Sequence, residues 1–379
     1  MDRPPGMTLL EAAAGTPIGL GPASALPETT LTPLQALEAA VDEAVRRPPC
    51  HVAFSGGQDS SLVLAAAARA AARAAAPPPV AVTLRFPAHD RTNEDHWQAL
   101  VLEHLGLGEQ VVIEVGNDLD LVGPAATAEL LRRGVVYPAN AHSLAPLVEA
   151  AAGGTLLVGL GGDELLAGHR WTRLNDVLAR RRRPTPRDAV RGAVGALPGR
   201  LRGPVLARRF GKLPSWLRPD AARRMRTALR EEANEPVRFD LSVEHAARVR
   251  TPVVVREGLA RLGGAETSVE APLLDPRFVS ALARAGGGRG FGDRVAVMHA
   301  VAGSALPVAL LDRRDKARFE GVFFGERARR FAETWSGEGV DEDLVDHAEL
   351  RRTWLEPWPD FRSALLLQLA WRSRHGATP

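Results

Sequence analysis

In the first half of the chain, short apolar runs alternate with longer amphipathic stretches, and glycine or proline separates most of them. CHVAF at 50–54, VAVTLRF at 80–86, VVIEV at 111–115 and TLLVGL at 155–160 have the length and branched content of strands in a parallel sheet. Helical spacing fills the intervals. TPLQALEAAVDEAVRR offers Thr32 as N-cap, Pro33 at the first helical position and Gln35 to close a capping box, and Pro48 and Pro49 stop it. SSLVLAAAARAAARAAA is an alanine-rich helix ended by Pro77, Pro78 and Pro79. NEDHWQALVLEHLGL and residues 140–151 also read as helical. Strands alternating with helices predict an α/β fold, a doubly wound parallel sheet.

Beyond Gly168 strand-like runs become rare, and LRPDAARRMRTALREEA and DFRSALLLQLAWRSRH are the clearest of several helical segments. The expected division is an irregular extension over 1–33, an α/β core over 34–168 and a mainly helical part over 169–379.

Composition narrows the classes. With 45% apolar and 25% charged residues the chain is ordinary globular material. No apolar run reaches the roughly 18 residues of a membrane-spanning helix, and MDRPPGMTLLEAAAG lacks the pattern of a signal peptide. Cys50 is the single cysteine, which excludes a disulfide framework or a zinc cluster within the chain. The expected location is cytoplasmic, with no membrane partner. The net charge of +3 hides a segment, Arg170 to Arg230, with 18 Lys or Arg against 3 Asp. A solvated helical surface accounts for it; an anionic partner is the alternative. Lys212 and Lys316 are the only lysines among 48 basic residues. A compact ammonium does work that a planar guanidinium does not, so each draws attention.

Chemistry concentrates in two glycine-rich turns. FSGGQDSSL, residues 54–62, joins the first strand to the alanine-rich helix. Backbone N–H groups and a helix N-terminus there favour an anion. Gly56 and Gly57 allow close approach, Ser55, Ser60 and Ser61 can donate to phosphate oxygens, and Asp59 suits a bridging Mg²⁺. A plain turn in which Asp59 or Ser60 caps the helix is the competing reading. The turn is not a Walker A loop, having no lysine after its glycines. TLLVGLGGDELLAGHR, residues 155–170, sets Asp163 at a second strand end, where it can share the metal or merely cap a helix.

SGGxDS resembles the pyrophosphate-binding loop of the ATP pyrophosphatase group. Together with GxGGDELxxG it resembles the synthetase half of the asparagine synthetase family, which includes β-lactam synthetases and lasso-peptide macrolactam synthetases. EAPLLDPRFVSAL (270–282) and LPVALLDRRDKARF (306–319) are similar to two later family segments, and place Asp275 at a family aspartate and Lys316 at the catalytic lysine. The resemblance runs from about residue 34 to the C-terminus. It implies a sheet of the ATP-pyrophosphatase type, with ATP and Mg²⁺ as cofactors. It also implies a nucleotide site that includes Phe54, Gln58, Leu84, Gly159 and Gly161, with Asp59 and Asp163 on the metal. The implied reaction adenylates a carboxylate, with loss of pyrophosphate, and passes the acyl group to an amine.

The chain departs from asparagine synthetases in three ways. The glutaminase half, with its N-terminal nucleophilic cysteine, is not found, so ammonia is not expected from glutamine on this chain. Leu160 stands at the position of the family's acid in GEGSDE, and Glu270 is the expected substitute. Gln58 replaces a leucine, with little effect expected. These point to an amine on a peptide or small metabolite, with macrolactam formation favoured. Asparagine synthesis with ammonia supplied in trans by a companion protein or glutaminase is the alternative. Two others are an RNA-modifying ATP pyrophosphatase, although nucleic acid is the less expected partner, and a weakly catalytic partner subunit that binds ATP.

Overall fold

The computed structural model describes residues 3–87, 94–108, 110–116, 119–167, 169–207, 213–314 and 323–376. Lys212 and Lys316 lie outside them.

Residues 1–33 are not irregular throughout. Thr8 and Glu11 form a capping box that starts helix α1, Leu9–Ala14, and Gly15 ends it in the left-handed conformation. Helix α2, Pro33–Arg46, begins as its sequence predicts: Thr32 Oγ1 accepts from the Gln35 N–H, and the Thr32 N–H donates to Gln35 Oε1. Strand β1, Cys50–Ala53, leads into α3, Gln58–Ala74. Ala65, Ala66, Ala67 and Ala70 of α3 are fully buried, and α3 packs on α2. Then come β2 (Val80–Arg85), α4 (Asp95–Leu105), β3 (Gln110–Glu114), α5 (Pro124–Arg133), α6 (Ala145–Glu149) and β4 (Thr155–Leu157). The helical stretch expected over 140–151 is a 3-10 turn at Ala141–Ser143 followed by α6, because Pro146 lies in the first turn of α6.

The chain then makes a long helical excursion. It runs through α7 (Gly162–Leu165), α8 (Thr172–Leu178), α9 (Pro186–Ala196), α10 (Gly199–Ala207), α11 (Pro219–Ala233), α12 (Phe239–Ala246) and α13 (Arg250–Gly263). It returns as β5, Ser268–Glu270, a fifth strand from the half expected to be helical. Three residues are too few to show periodicity, which is why the sequence conceals it. Next are α14 (Pro276–Gly286), α15 (Arg294–Ala302) and α16 (Val308–Leu311). The last helices are α17 (Glu326–Thr334), α18 (His347–Trp354) and α19 (Ala364–His375).

All strands are parallel, in the order β3-β2-β1-β4-β5. Helices α2, α3 and α14 cover one face around Leu37, Leu62 and Phe278, while α6 and α13 cover the other around Val148, Leu259 and Leu262. A further core joins α1 to α11 and to α17–α19, with Trp216 and Trp354 buried in it. From β1 the chain moves outward to β3, then crosses back to place β4 on the other side of β1. The carboxyl ends of β1 and β4 therefore flank a topological switch point, where open α/β sheets bind ligands.

Candidate active site

The loop after β1 is held by its neighbours. Phe54 donates its N–H to the Val82 carbonyl (2.8 Å), and Thr83 Oγ1 donates to the Phe54 carbonyl (2.6 Å). Gly56 has φ +85°, and a Cβ there would come within 3.0 Å of Gln98 Cγ. The Ser55 and Ser60 hydroxyls meet at 3.1 Å, and Ser60 Oγ lies 3.1 Å from the Gly57 carbonyl it donates to. Gly57 is the N-cap of the 17-residue helix α3 and gives it no side-chain cap. Neither Asp59 nor Ser60 closes that end. The first residues of the helix line the cavity, where backbone N–H groups and the helix dipole favour an anion.

The loop after β4 abuts this one through glycines. A Cβ on Gly159 would stand 3.0 Å from the Ser60 nitrogen, and one on Gly162 would stand 2.2 Å from Asp59 Cγ. Gly161, at φ +95°, turns the chain into α7 against Leu274. Asp59 and Asp163 thus reach the same cation, the guanidinium of Arg294 at the start of α15. Its Nη2 is 2.7 Å from Asp59 Oδ1 and its Nη1 is 3.5 Å from Asp163 Oδ1. Arg294 Nε also donates to Gln58 Oε1 (2.7 Å).

Gln58 is more than a tolerated replacement for leucine. It is 8% exposed, and its Nε2 donates to the carbonyls of Leu310, Leu311 and Arg313 at 3.0, 3.1 and 3.2 Å. One amide therefore fastens the β1 loop to the end of α16 and the segment after it. These contacts give Gln58 a task that a leucine could not perform.

A cavity of about 820 Å³ opens over the switch point. Phe54, Ser55, Gly57, Gln58, Asp59 and Ser60 form its polar side together with Asp163, Arg294 and Arg313. Leu84, Val82, Leu144 and Leu147 line an apolar side. Arg313 is held by Glu94 through a two-pronged pair at 2.9 and 2.5 Å, and it stacks over Trp97 at 4.9 Å. Volume and lining suit a nucleotide-sized ligand with one apolar and one anionic end.

Several expected residues fall elsewhere. Gly56, Gly159 and Gly161 shape the wall without lining the cavity. Ser61 is fully buried, so its hydroxyl does not face a phosphate. Asp275 is not in the cavity; it is the N-cap of α14, accepting from the Arg277 N–H (2.8 Å) and pairing with the Arg277 guanidinium. Glu270 is also absent from the lining. It lies in β5 on the side of α2, where burial and then the charge of Glu43 raise its proton affinity against the opposing Arg47. A strand side chain has only two faces to choose from, and Glu270 takes the one away from the ligand. Lys316 belongs to the undescribed residues.

The site residues that sequence reading missed are Arg294, Arg313 and Glu94. In a chain whose basic residues are almost all arginine, no single arginine stands out. Two carboxylates that already share one cation fit a hard metal ion. Among the described residues no group of three or more His, Cys, Asp or Glu forms a closed metal site. A Mg²⁺ held by Asp59 and Asp163 would complete its shell with phosphate oxygens and water, as is usual for that ion.

A parallel sheet with two glycine loops meeting at its switch point is the α/β arrangement in which open sheets bind ligands at their strand ends. The chain belongs to the asparagine synthase family, whose model, described as asparagine synthase, matches residues 34–372. Membership makes it an ATP-dependent amide ligase of the asparagine synthetase type, carrying the synthetase portion. Comparison with curated proteins gave no match. Among the described residues no helix is long and apolar enough to cross a membrane.

Proposed function

We propose that the protein activates a carboxylate by adenylation and transfers the acyl group to an amine carried by a peptide or small metabolite, with ring-closing amide formation favoured. The carrying observation is the convergence of Asp59 and Asp163 on one cation beside the uncapped α3 N-terminus. In the first step a carboxylate oxygen bonds to the α-phosphorus of ATP and the bond to the β-phosphate breaks. The α3 amides and the Ser55 and Ser60 hydroxyls would hold the departing pyrophosphate. Arg294 and Arg313, both in the lining, would offset its charge. Bound Mg²⁺ supplies further neutralisation of the phosphates. In the second step the amine nitrogen bonds to the acyl carbon, AMP leaves, and a base takes the amine proton.

Cys50 supports a nitrogen source other than glutamine hydrolysed by its own thiol. It is 4% exposed in β1, and burial pushes its thiol up to about 12, so it is no nucleophile for glutamine hydrolysis. Leu160, where the family carries an acid, supports an amine other than ammonia. Product analysis tests the reading: AMP and pyrophosphate, with pyrophosphate exchange that depends on an added carboxylate, are expected. ADP with orthophosphate would overturn it.

A further inference from the structure

The basic segment singled out in the sequence is only partly neutralised in the fold. Its acids are all engaged. Asp188 pairs with Arg173 and Arg191, Asp176 with Arg181 and Arg182, and Asp220 with Arg223. Within α8–α10 and the turn that joins α8 to α9, the exposed Arg180, Arg183, Arg187 and Arg200 have no carboxylate within ion-pair range among the described residues. Apolar side chains stand exposed on α8, α9 and α10: Leu178 (50%), Val190 (63%), Leu201 (52%) and Val205 (40%); of the arginines, Arg187 is on α9 and Arg200 on α10. Arg187 and Val190 share one face of α9 at i and i+3, and Leu201 and Val205 share one face of α10 at i and i+4. Helix α9 packs on both α8 and α10, so these faces belong to one module.

The module is fastened to the cavity rim. Arg181 Nη2 donates to the carbonyls of Arg289 (3.2 Å) and Gly290 (2.7 Å). That loop runs directly into Asp293 and Arg294, which line the cavity.

We propose that α8–α10 is a docking surface for an acidic, amphipathic segment of the polypeptide that presents the carboxylate to this site. The proposal rests on the ligase reading above and supplies its substrate class. Charge complementarity selects an acidic partner, and the exposed Leu and Val side chains select one with an apolar stripe. Nucleic acid fits less well: the described aromatic residues of the region, Trp171 and Trp216, are 3% and 1% exposed, so bases find no ring to stack on.

The test uses the full chain and a fluorescent synthetic peptide of Glu and Leu with leucines at i and i+4, read by anisotropy at about 0.15 M salt. The peptide should bind. Arg180→Glu/Arg183→Glu/Arg187→Glu should weaken it at least about tenfold with an unchanged melting temperature and unchanged pyrophosphate exchange with a small carboxylate. Val190→Asp, which leaves the arginines in place, should weaken it too. Equal binding of a leucine-free polyglutamate, preferential binding of tRNA or of anionic vesicles, or self-association through this face would each overturn the proposal. Exchange without peptide binding removes docking alone. Peptide binding without exchange for any carboxylate removes the ligase reading alone.

Discussion

Gln58 shows how a single amide can decide the state of a site. Its donors reach three main-chain carbonyls and its oxygen accepts from Arg294, so each end of the group has a fixed task. Leucine has the volume but neither donor nor acceptor. Gln58→Leu leaves buried carbonyls and a guanidinium N–H unsatisfied, and should cost about 1–3 kcal/mol of stability. Pyrophosphate exchange should fall about tenfold, because Arg294 and the segment after α16 lose their common tether; thermal unfolding and exchange kinetics measure the two effects. Glu270 gives a prediction with a sign. Its folded-state affinity for a proton is raised, so burying it is harmless while it is protonated and costs stability once pH climbs past the ordinary carboxylate range. Glu270→Gln should therefore raise the melting temperature by about 1 °C near neutral pH. The gain should vanish below about pH 4. A drop in exchange activity would instead restore Glu270 to the chemistry.

Helix ends carry much of the local logic, and they divide into closed and open ones. Thr8, Thr32, Asp275, Asp293 and Asp346 each cap a helix with a side chain, whereas α3 begins on bare glycine. Side-chain caps stabilise their helices; α5, which begins on Gly123, also lacks one, and α3 differs in that its first residues line the cavity. Asp275→Ala should accordingly cost about 1 kcal/mol by loss of the α14 cap, with the KM for ATP unchanged; urea unfolding and steady-state kinetics separate this from a catalytic role. Elements with strong local signals were legible in the sequence. The Thr32–Gln35 box, the proline stops after α3 and the glycine at the end of α4 appear where the residues say. So did the two loops, because glycine and acid spacing is a local property. What the sequence hid depends on facing: which way Glu270 points, what Asp275 caps, and which of many arginines comes to lie between Asp59 and Asp163. A partner brought from α15 leaves no trace in the spacing of either loop.

Across the whole molecule, the sheet does not respect the division expected near residue 168, since β5 pairs with β4 from the far side of the excursion. Thr155, Leu156 and Leu157 are opposite Ser268, Val269 and Glu270. A fragment of residues 34–168 would present β4 as a bare edge with fully buried Leu156 and Leu157 uncovered. That fragment should self-associate where the full chain does not, a difference that sedimentation velocity can measure. Translation meets the same geometry in time. While a ribosome is still reading Val158 to Thr267, the nascent sheet waits with its last neighbour unmade, and the chain relies on whatever shields that flank until Ser268 emerges.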